Sequence, residues 1–241
     1  MDKKKHTLKV ISIINHKGGV GKTITAQNLG AALTELKQNV LLIDFDPQHN
    51  LSKHCGVTKE NIEEGRTISD LIKGTTDQFQ PYQANENGKM YIIPSTEQLA
   101  IDNIEFSAEE NAEEIPMHLK NIMDRIDLLD TFDYAIIDSA PGSSMLMVNS
   151  LYAADLVLLP IADLDSMDGV ETVVSMMAGN NLPAKARYII TKYDVRIKTN
   201  REIRDVLIYN YGESTMHSTI RVCNALSEAA RNNTDVFEYA P

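Results

Sequence analysis

A glycine-rich loop near the amino terminus constrains the fold of this chain more than any other segment. The loop, Lys17-Gly-Gly-Val-Gly-Lys-Thr23, follows an apolar, β-branched stretch and opens an amphipathic stretch that runs to about Leu36. A strand, a glycine loop and a helix in this order form a cradle whose backbone N–H groups approach phosphate oxygens, and the helix N-terminus adds positive dipole. The order therefore predicts a nucleotide-phosphate site.

This loop carries two lysines, although one amine suffices to bind the phosphates of one nucleotide. Lys22 is expected to reach the β- and γ-phosphates, and the Thr23 hydroxyl is expected to ligate Mg²⁺. Lys17 has no necessary role within one subunit. The predicted nucleotide contacts are Lys17, Gly18, Gly19, Val20, Gly21, Lys22, Thr23 and Ile24.

Short apolar, β-branched runs alternate with longer helical patterns along the whole chain. The predicted strands are Lys9–Asn15, Asn39–Asp44, Met90–Pro94, Tyr134–Asp138, Leu156–Ile161, Arg187–Thr191 and Ser218–Val222. Helical periodicity is clearest in Thr23–Leu36, Ala112–Leu129, Ser143–Ala153, Gly169–Ala178 and Thr199–Tyr209. This alternation predicts an α/β fold in which helices cover both faces of one twisted, mostly parallel sheet.

The chain shows no repeat and no linker rich in Pro, Gly or Ser. We therefore expect a single domain over residues 1–241, with a flexible segment at residues 1–7. The polar stretch 74–89 is interpreted as a surface loop. The acidic stretch 105–114 is interpreted as a solvated loop or helix start.

Composition disfavours several other classes of protein. Cys55 and Cys223 lack metal-ligand spacing, which disfavours a disulfide, a zinc site or an iron–sulfur cluster. No apolar run has the length of a membrane span, and no signal peptide is recognisable. These features predict a protein of the reducing cytosol.

Two further apolar strands end in aspartates. Asp44 and Asp46 follow one of them and precede Pro47, which can open a helix, and Asp138 ends the other. Ligands of parallel sheets lie beyond the carboxyl ends of the strands, so we expect these carboxylates beside the glycine loop. There they could hold Mg²⁺ or orient an attacking water, although Asp46 could instead cap the next helix.

A fourth motif, Thr191-Lys-Tyr-Asp194, ends another predicted strand. It is similar to the base-binding signature of some P-loop GTPases, which have Asn in place of Thr191. The motif predicts a loop near the base without identifying the base.

The glycine loop, Asp44-Phe-Asp-Pro-Gln48 and Ile136-Ile-Asp-Ser-Ala-Pro141 together resemble the ParA/MinD family of deviant Walker ATPases, above all its ParA (Soj-like) partition branch. The resemblance continues through Thr191–Asp194 and Ile220–Ala229, and so covers nearly the whole chain.

The resemblance implies an ATPase, weak when alone, that dimerises face to face around two ATP molecules with Mg²⁺ and releases ADP. It implies that Lys17 crosses the interface to the partner's phosphates, that Lys22 binds phosphate, and that Asp46 orients the hydrolytic water; these three are the implied catalytic residues. The implied metal set is Thr23, Asp138 and, in a supporting role, Asp44.

Members of this branch bind DNA without sequence preference as ATP-loaded dimers, and a ParB-like partner stimulates hydrolysis to position plasmids, chromosomes or other cargo. The resemblance thus implies a cytoplasmic, nucleoid-associated homodimer.

The charge of the chain is unevenly distributed. A net charge of −11 opposes DNA binding if evenly spread, but residues 185–205 hold seven basic and three acidic side chains, a local excess of +4. The candidate DNA contacts are Arg196, Lys198 and Arg201; the alternative is an ordinary solvated helix face.

Other members of the wider family give alternative functions. A MinD-like ATPase that acts at the membrane needs an amphipathic, lysine-rich C-terminal helix, which residues 232–241 do not offer, so we expect no membrane partner. A metabolic ligase related to cobyrinic-acid or dethiobiotin synthases is disfavoured by the paired lysines but stays open. Family members often continue for one more helix past the position of Pro241, and that helix is expected to be missing from this sequence.

Overall fold

The computed structural model describes residues 8–76, 80–108, 117–126 and 131–240, which build one sheet with helices on both faces. The strands are β1 (Lys9–Ile13), β2 (Val40–Phe45), β3 (Tyr82–Gln83), β4 (Met90–Ile93), β5 (Tyr134–Ser139), β6 (Leu156–Ile161), β7 (Lys185–Tyr193) and β8 (Thr215–Arg221). Their order is β3-β4-β2-β5-β1-β6-β7-β8, with β3 antiparallel and the other seven parallel. The predicted α/β fold is confirmed.

In the described residues, each of the seven parallel strands is followed by one or two helices. They are α1 (Lys22–Glu35), α2 (Asn50–His54), α3 (Ile68–Lys73), α4 (Gln98–Ala108), α5 (His118–Arg125), α6 (Met145–Ala153), α7 (Asp165–Gly179), α8 (Lys198–Tyr211), α9 (Asn224–Arg231) and α10 (Val236–Tyr239). None of the helices in these residues is both long and apolar enough to cross a membrane.

The core lies on both faces of the sheet, because successive side chains of a strand point to opposite faces. In β2, Leu41, Ile43 and Phe45 pack against α3, α4, α5 and α6. Val40 and Leu42 face the other side, where α1 and α2 cover them. All five are fully buried, as expected of a central parallel strand.

Because the central strands are parallel, their carboxyl ends meet at one edge of the sheet. The register places Asp138 of β5 beside Ile13 of β1 on one side and Asp44 of β2 on the other. The glycine loop follows β1, so the fold brings the three predicted motifs together at this edge.

The structure confirms all seven predicted strands, Leu156–Ile161 with the predicted ends and the other six with shifted ends, and corrects several local predictions. The surface-loop interpretation of residues 74–89 is wrong at β3, which is too short to show periodicity and forms by antiparallel pairing with β4. Pro47 does not open a helix, because α2 begins three residues later, at Asn50. Residues 105–108 end α4 and do not start a helix. The sequence patterns also did not single out α2, α3, α4, α9 and α10.

Some predictions fall wholly or partly outside the described residues. This holds for the flexible segment 1–7, for residues 109–114 of the acidic stretch, and for both ends of the predicted helix 112–129, of which α5 is the described part. The single-domain boundary at 1–241 stays a prediction.

Candidate functional site

The glycine loop joins β1 to α1 in a conformation that only glycine adopts easily. Gly19 and Gly21 have φ angles of 74° and 90°, in the left-handed region where a side chain is strained. A Cβ added to Gly18 or Gly19 would meet no atom within 4 Å, so space is open beside the loop. Gly21 directly precedes the first residue of α1, which aims the helix N-terminus at this space.

Asn15 fixes the start of the loop against the segment that follows β6. Its side-chain amide donates to the backbone oxygens of Pro160 at 2.8 Å and Ser166 at 3.0 Å, and its Oδ1 accepts from the Lys17 N–H at 2.8 Å. Gly169 of α7 lies so close that an added Cβ would stand 2.4 Å from Asn15 Oδ1. The backbone of Lys17 is therefore held by a buried, tightly packed contact.

The two lysines of the loop point in different directions. Lys22 is 7% exposed, and its Nζ donates to the backbone oxygens of Asn15 at 3.2 Å and Lys17 at 3.1 Å. Burial lowers the pKa of Lys22, and the charges of Asp138 and Asp46 partly offset this. The amine of Lys22 thus lies against the inner side of its own loop.

Lys17 instead extends to the acidic segment at the start of α7. Its Nζ lies 3.0 and 3.1 Å from the two carboxylate oxygens of Asp163 and 3.2 Å from Asp165. The hydrogen bond to Asp163 is the main cause that raises the pKa of Lys17. The side chain is about one-third exposed, so this charged amine stays accessible at the surface.

Asp44 organises the loop that carries Asp46. Asp44 is fully buried; its Oδ2 accepts from the N–H and the hydroxyl of Ser52 at 2.8 and 2.6 Å, and its Oδ1 accepts from the Asp46 N–H at 3.3 Å. Burial raises the pKa of Asp44 to about 6, against the opposing effect of the Ser52 hydrogen bonds. Ser52 Oγ in turn accepts from Ser95 N at 3.1 Å, which ties this network to the end of β4.

Asp46 does not cap α2, because the residue preceding that helix is His49 and it makes no side-chain capping bond. One Asp46 carboxylate oxygen accepts from the Gln48 N–H at 3.0 Å, and the residue is 9% exposed. The alternative role as a helix cap is therefore excluded.

Asp138 has the properties expected of a residue that meets a cation. Both carboxylate oxygens are buried and make no hydrogen bond of ordinary geometry among the described residues, although the Thr23 side chain partly stabilises the charged form. Burial, together with the charge of Asp44, raises the pKa of Asp138 well above its ordinary value, while Thr23 and Lys22 act in the opposite direction. A buried carboxylate that is only partly compensated is costly, and a divalent cation would stabilise its charge.

The side chains at this site suit Mg²⁺, which needs few protein ligands, better than a cation that is coordinated by protein side chains alone. Among the described residues, no three His, Cys, Asp or Glu side chains form a cluster that could hold a metal. Mg²⁺ commonly uses one or two carboxylates and completes its shell with water and phosphate oxygens. Asp138 and the Thr23 hydroxyl would hold it; Asp44 is already engaged by Ser52.

We expect Asp138→Asn to raise the free energy of unfolding by about 1–3 kcal/mol at pH 7 without Mg²⁺ or nucleotide, because it removes a buried carboxylate whose charge Thr23 and Lys22 compensate only in part. Since folding raises the pKa of this group, the folded state holds the proton more tightly, and stability should fall as pH rises from about 4. Urea unfolding between pH 4 and 8 measures both effects. A variant less stable than the unmodified chain at pH 7 would show that Asp138 is compensated within the protein.

Two further predicted residues also lie beside the loop. The side chain of Ile24, in the first turn of α1, lines an open apolar groove of about 1340 Å³ between α1 and strands β1, β6, β7 and β8, and a nucleotide contact by Ile24 stays a prediction. Thr191 lies at the loop itself, where its hydroxyl donates to the Val20 backbone oxygen at 2.7 Å.

Two of the three candidate DNA contacts are paired within the chain. The Arg196 guanidinium binds Asp194 at 2.6 Å and contributes to lowering the pKa of that carboxyl to about 2. Lys198 pairs with Glu202 at 3.2 Å on α8, and Arg201 is exposed on the same helix. The local excess of positive charge is therefore partly neutralised, and DNA contact by these residues stays a prediction.

Sequence reasoning missed several residues that build the site, namely Asn15, Ser52, Asp163 and Asp165. The acidic pair could have been found, because Asp163 and Asp165 follow a predicted parallel strand and so belong to the same sheet edge. Asn15 and Ser52 give no sequence signal, since their roles depend on packing against distant segments.

Comparison with known proteins identifies the family of this chain. A family model described as an AAA domain matches residues 8–183. The chromosome-partitioning ATPase Soj of Treponema pallidum is 30% identical over 237 residues, which cover 96% of this chain and 90% of that protein. The chain belongs to the ParA/MinD family of P-loop ATPases. This ParA/MinD chain therefore spans most of the length of the Treponema pallidum protein.

Solved structures show the same ParA/MinD fold. Apo McdA from Cyanothece superposes with a TM-score of 0.84 at 22% identity, over 96% of this chain and 93% of that one. Cobyrinic acid a,c-diamide synthase from Mycobacterium smegmatis, solved with an ATP analogue and magnesium, has a TM-score of 0.76 at 26% identity, over 94% and 92% of the two chains.

Proposed function

We propose that this chain is a ParA/Soj-like partition ATPase. It binds ATP and Mg²⁺ through the glycine loop, dimerises face to face, and binds DNA without sequence preference. ATP hydrolysis, weak in the isolated protein and stimulated by a ParB-like partner, returns it to the ADP state. The cycle would position a plasmid, chromosome or other cargo on the nucleoid.

The observation that carries this proposal is the separation of the two lysine amines. Lys22 lies on the inner side of the loop, which is where an amine must lie to bind the phosphates of its own subunit. Lys17 lies outside, on the acidic segment, although its backbone is fixed in the same loop. The accessible Lys17 amine would have a role in a dimer, where it could bind the phosphates of the nucleotide held by the second subunit.

The carboxylates supply the rest of the proposed chemistry. Mg²⁺, when bound, neutralises charge on the phosphates, and Asp138 with Thr23 would hold it. Asp46 lies on the loop after β2, fixed by Asp44 and Ser52, with one carboxylate oxygen not used by Gln48. That oxygen would orient the attacking water and accept its proton.

Binding to random-sequence duplex DNA tests the proposal when measured with ATP, with ADP and without nucleotide. We expect binding that requires ATP and weakens steeply with salt, because phosphate contacts release counterions. Equal and negligible binding in all three states would contradict the partition function. Binding of the ATP state to anionic vesicles instead of DNA would favour a MinD-like function, and monomeric behaviour with turnover of a small-molecule substrate would favour a metabolic ligase.

Arg201→Ala extends the same assay to the proposed DNA surface. We expect this substitution on α8 to weaken ATP-dependent DNA binding and to reduce the slope of log affinity against log salt by about one. Lys185→Ala is the matched control, because Lys185 is exposed at the amino end of β7, away from the nucleotide edge. Equal effects of the two substitutions would show that α8 is not the DNA surface.

A further inference from the structure

Thr191 makes a buried contact with the glycine loop that the proposed chemistry does not use. The residue is 2% exposed, and its Oγ1 lies 2.7 Å from the backbone oxygen of Val20, to which it donates. A Cβ built on the next loop residue, Gly21, would stand 3.9 Å from the Cβ of Thr191. The side chain of Thr191 therefore packs against the Val20–Gly21 peptide.

Strand alternation in β7 explains why Thr191 faces the loop, and a β-bulge directly after it ends this alternation. Ile190 and Tyr193 pack in the core cluster under α7 and α8, whereas Ile189 packs in the cluster under α1. Strict alternation puts Thr191 on the α1 side with Ile189, and would put Tyr193 there too. The register with β8 shifts between Ile190 and Tyr193, and the exposed Lys192 takes a φ of 51°. The extra residue returns Tyr193 to the opposite face.

The hydrogen bond from Thr191 sets the direction of the neighbouring backbone N–H. In a trans peptide, the carbonyl of Val20 and the N–H of Gly21 point in opposite directions within one plane. Holding the carbonyl toward Thr191 therefore turns the Gly21 N–H away from β7. Gly21 has a φ of 90° and directly precedes α1. Because glycine restricts the backbone little, the loop sequence by itself does not fix the orientation of the Val20–Gly21 peptide.

We infer that Thr191 is a positioning residue for phosphate binding, which acts by fixing the Val20–Gly21 peptide so that the Gly21 N–H faces the nucleotide phosphates. This inference rests on the proposed function, because it requires a nucleotide in the loop. It gives the Thr191-Lys-Tyr-Asp194 segment a role at the phosphates, distinct from the contact with the base that its sequence suggests.

The test compares Thr191→Val, which removes the hydroxyl but keeps the shape, with Thr191→Ser, which keeps the hydroxyl. Equilibrium titration with fluorescent ATP and ADP analogues in Mg²⁺ measures affinity, and urea unfolding measures stability. We expect Thr191→Val to weaken both nucleotides about tenfold and Thr191→Ser to stay within about threefold of the unmodified chain.

Thr215→Val is the matched control. Thr215 is also buried, 4% exposed, and its hydroxyl donates to the backbone oxygen of Leu207 at 3.0 Å, but it begins β8 at the opposite edge of the sheet. We expect Thr215→Val to lose stability with unchanged nucleotide affinity. Should Thr191→Val fail to fold, Thr191→Ala against Thr191→Ser repeats the comparison, because these two differ only in the hydroxyl.

Two results would overturn the inference. One is a hydroxyl-free variant that binds ATP as tightly as the unmodified chain. The other is a serine variant as weak as the valine or alanine variant. Failure of the unmodified chain to bind ATP in the same titration would instead contradict the proposed function, and the inference with it.

Discussion

The Asp46→Ala chain is expected to bind ATP like the unmodified chain, to lose hydrolysis by about 10²–10⁴-fold, and to accumulate as an ATP-bound dimer. Asp46 lies on a loop that is held mainly by Asp44 and Ser52, so the loop should keep its shape without this carboxylate. Turnover would stop because no base orients the water. Dimers would accumulate because, in the proposed cycle, hydrolysis is the step that releases them.

Asp46→Asn separates catalysis from loop geometry. Its side-chain oxygen can still accept the hydrogen bond from Gln48 N–H, but the amide is not a base. We expect the same loss of turnover in both variants, measured as phosphate release with DNA present. Normal turnover in the asparagine variant would remove Asp46 from catalysis and leave it a purely structural role.

The second large effect is expected from Lys17→Ala. This variant should bind ATP almost normally, since Lys22, on the inner side of the loop, is the amine that we propose to bind the nucleotide of its own subunit. ATP-dependent dimerisation should weaken by about 100-fold or more, because two symmetry-related amines that meet phosphates are lost from the interface. Light scattering at graded protein concentration with ATP and with ADP measures this, and unchanged dimerisation would mean that Lys17 does not cross the interface.

The double variant Asp163→Asn, Asp165→Asn serves as the control for Lys17→Ala. Both carboxylates bind the Lys17 amine in the single chain, so the double variant leaves the amine in place and frees it from these partners. Asparagine at 163 can still accept from the Ser166 N–H at the start of α7. We expect ATP-dependent dimerisation to be unchanged or modestly stronger, since solvent screens exposed ion pairs and makes them weak.

The sequence predicts those parts of the site whose position depends only on the end of a single strand. The glycine loop and the aspartates after β2 and in β5 follow local patterns, and a parallel sheet brings strand ends to one edge whatever the packing. Asp138 faces this edge because the register pairs it with Ile13 and Asp44, both on neighbouring strands.

The parts that sequence did not predict depend on contacts between distant segments. Asn15 contacts residues near position 160, and Thr191 contacts Val20; no local pattern encodes either hydrogen bond. The short elements β3 and α2 have too few residues to show periodicity. The composition of residues 185–205 predicts a local excess of positive charge, but Arg196 and Lys198 are paired with carboxylates two and four residues away.

Mixing the Lys17→Ala and Asp46→Ala chains before ATP is added tests most directly whether each active site is shared between two subunits. In a mixed dimer, the Lys17→Ala subunit keeps its own Lys22 and Asp46 and receives Lys17 from its partner, so one complete site forms. Neither chain alone can form such a site. We expect ATP turnover in the mixture to exceed the summed turnover of the two separate chains by about tenfold or more, because the complete site again contains Asp46 as the base. Turnover no greater than that sum would contradict a site completed by the partner's lysine.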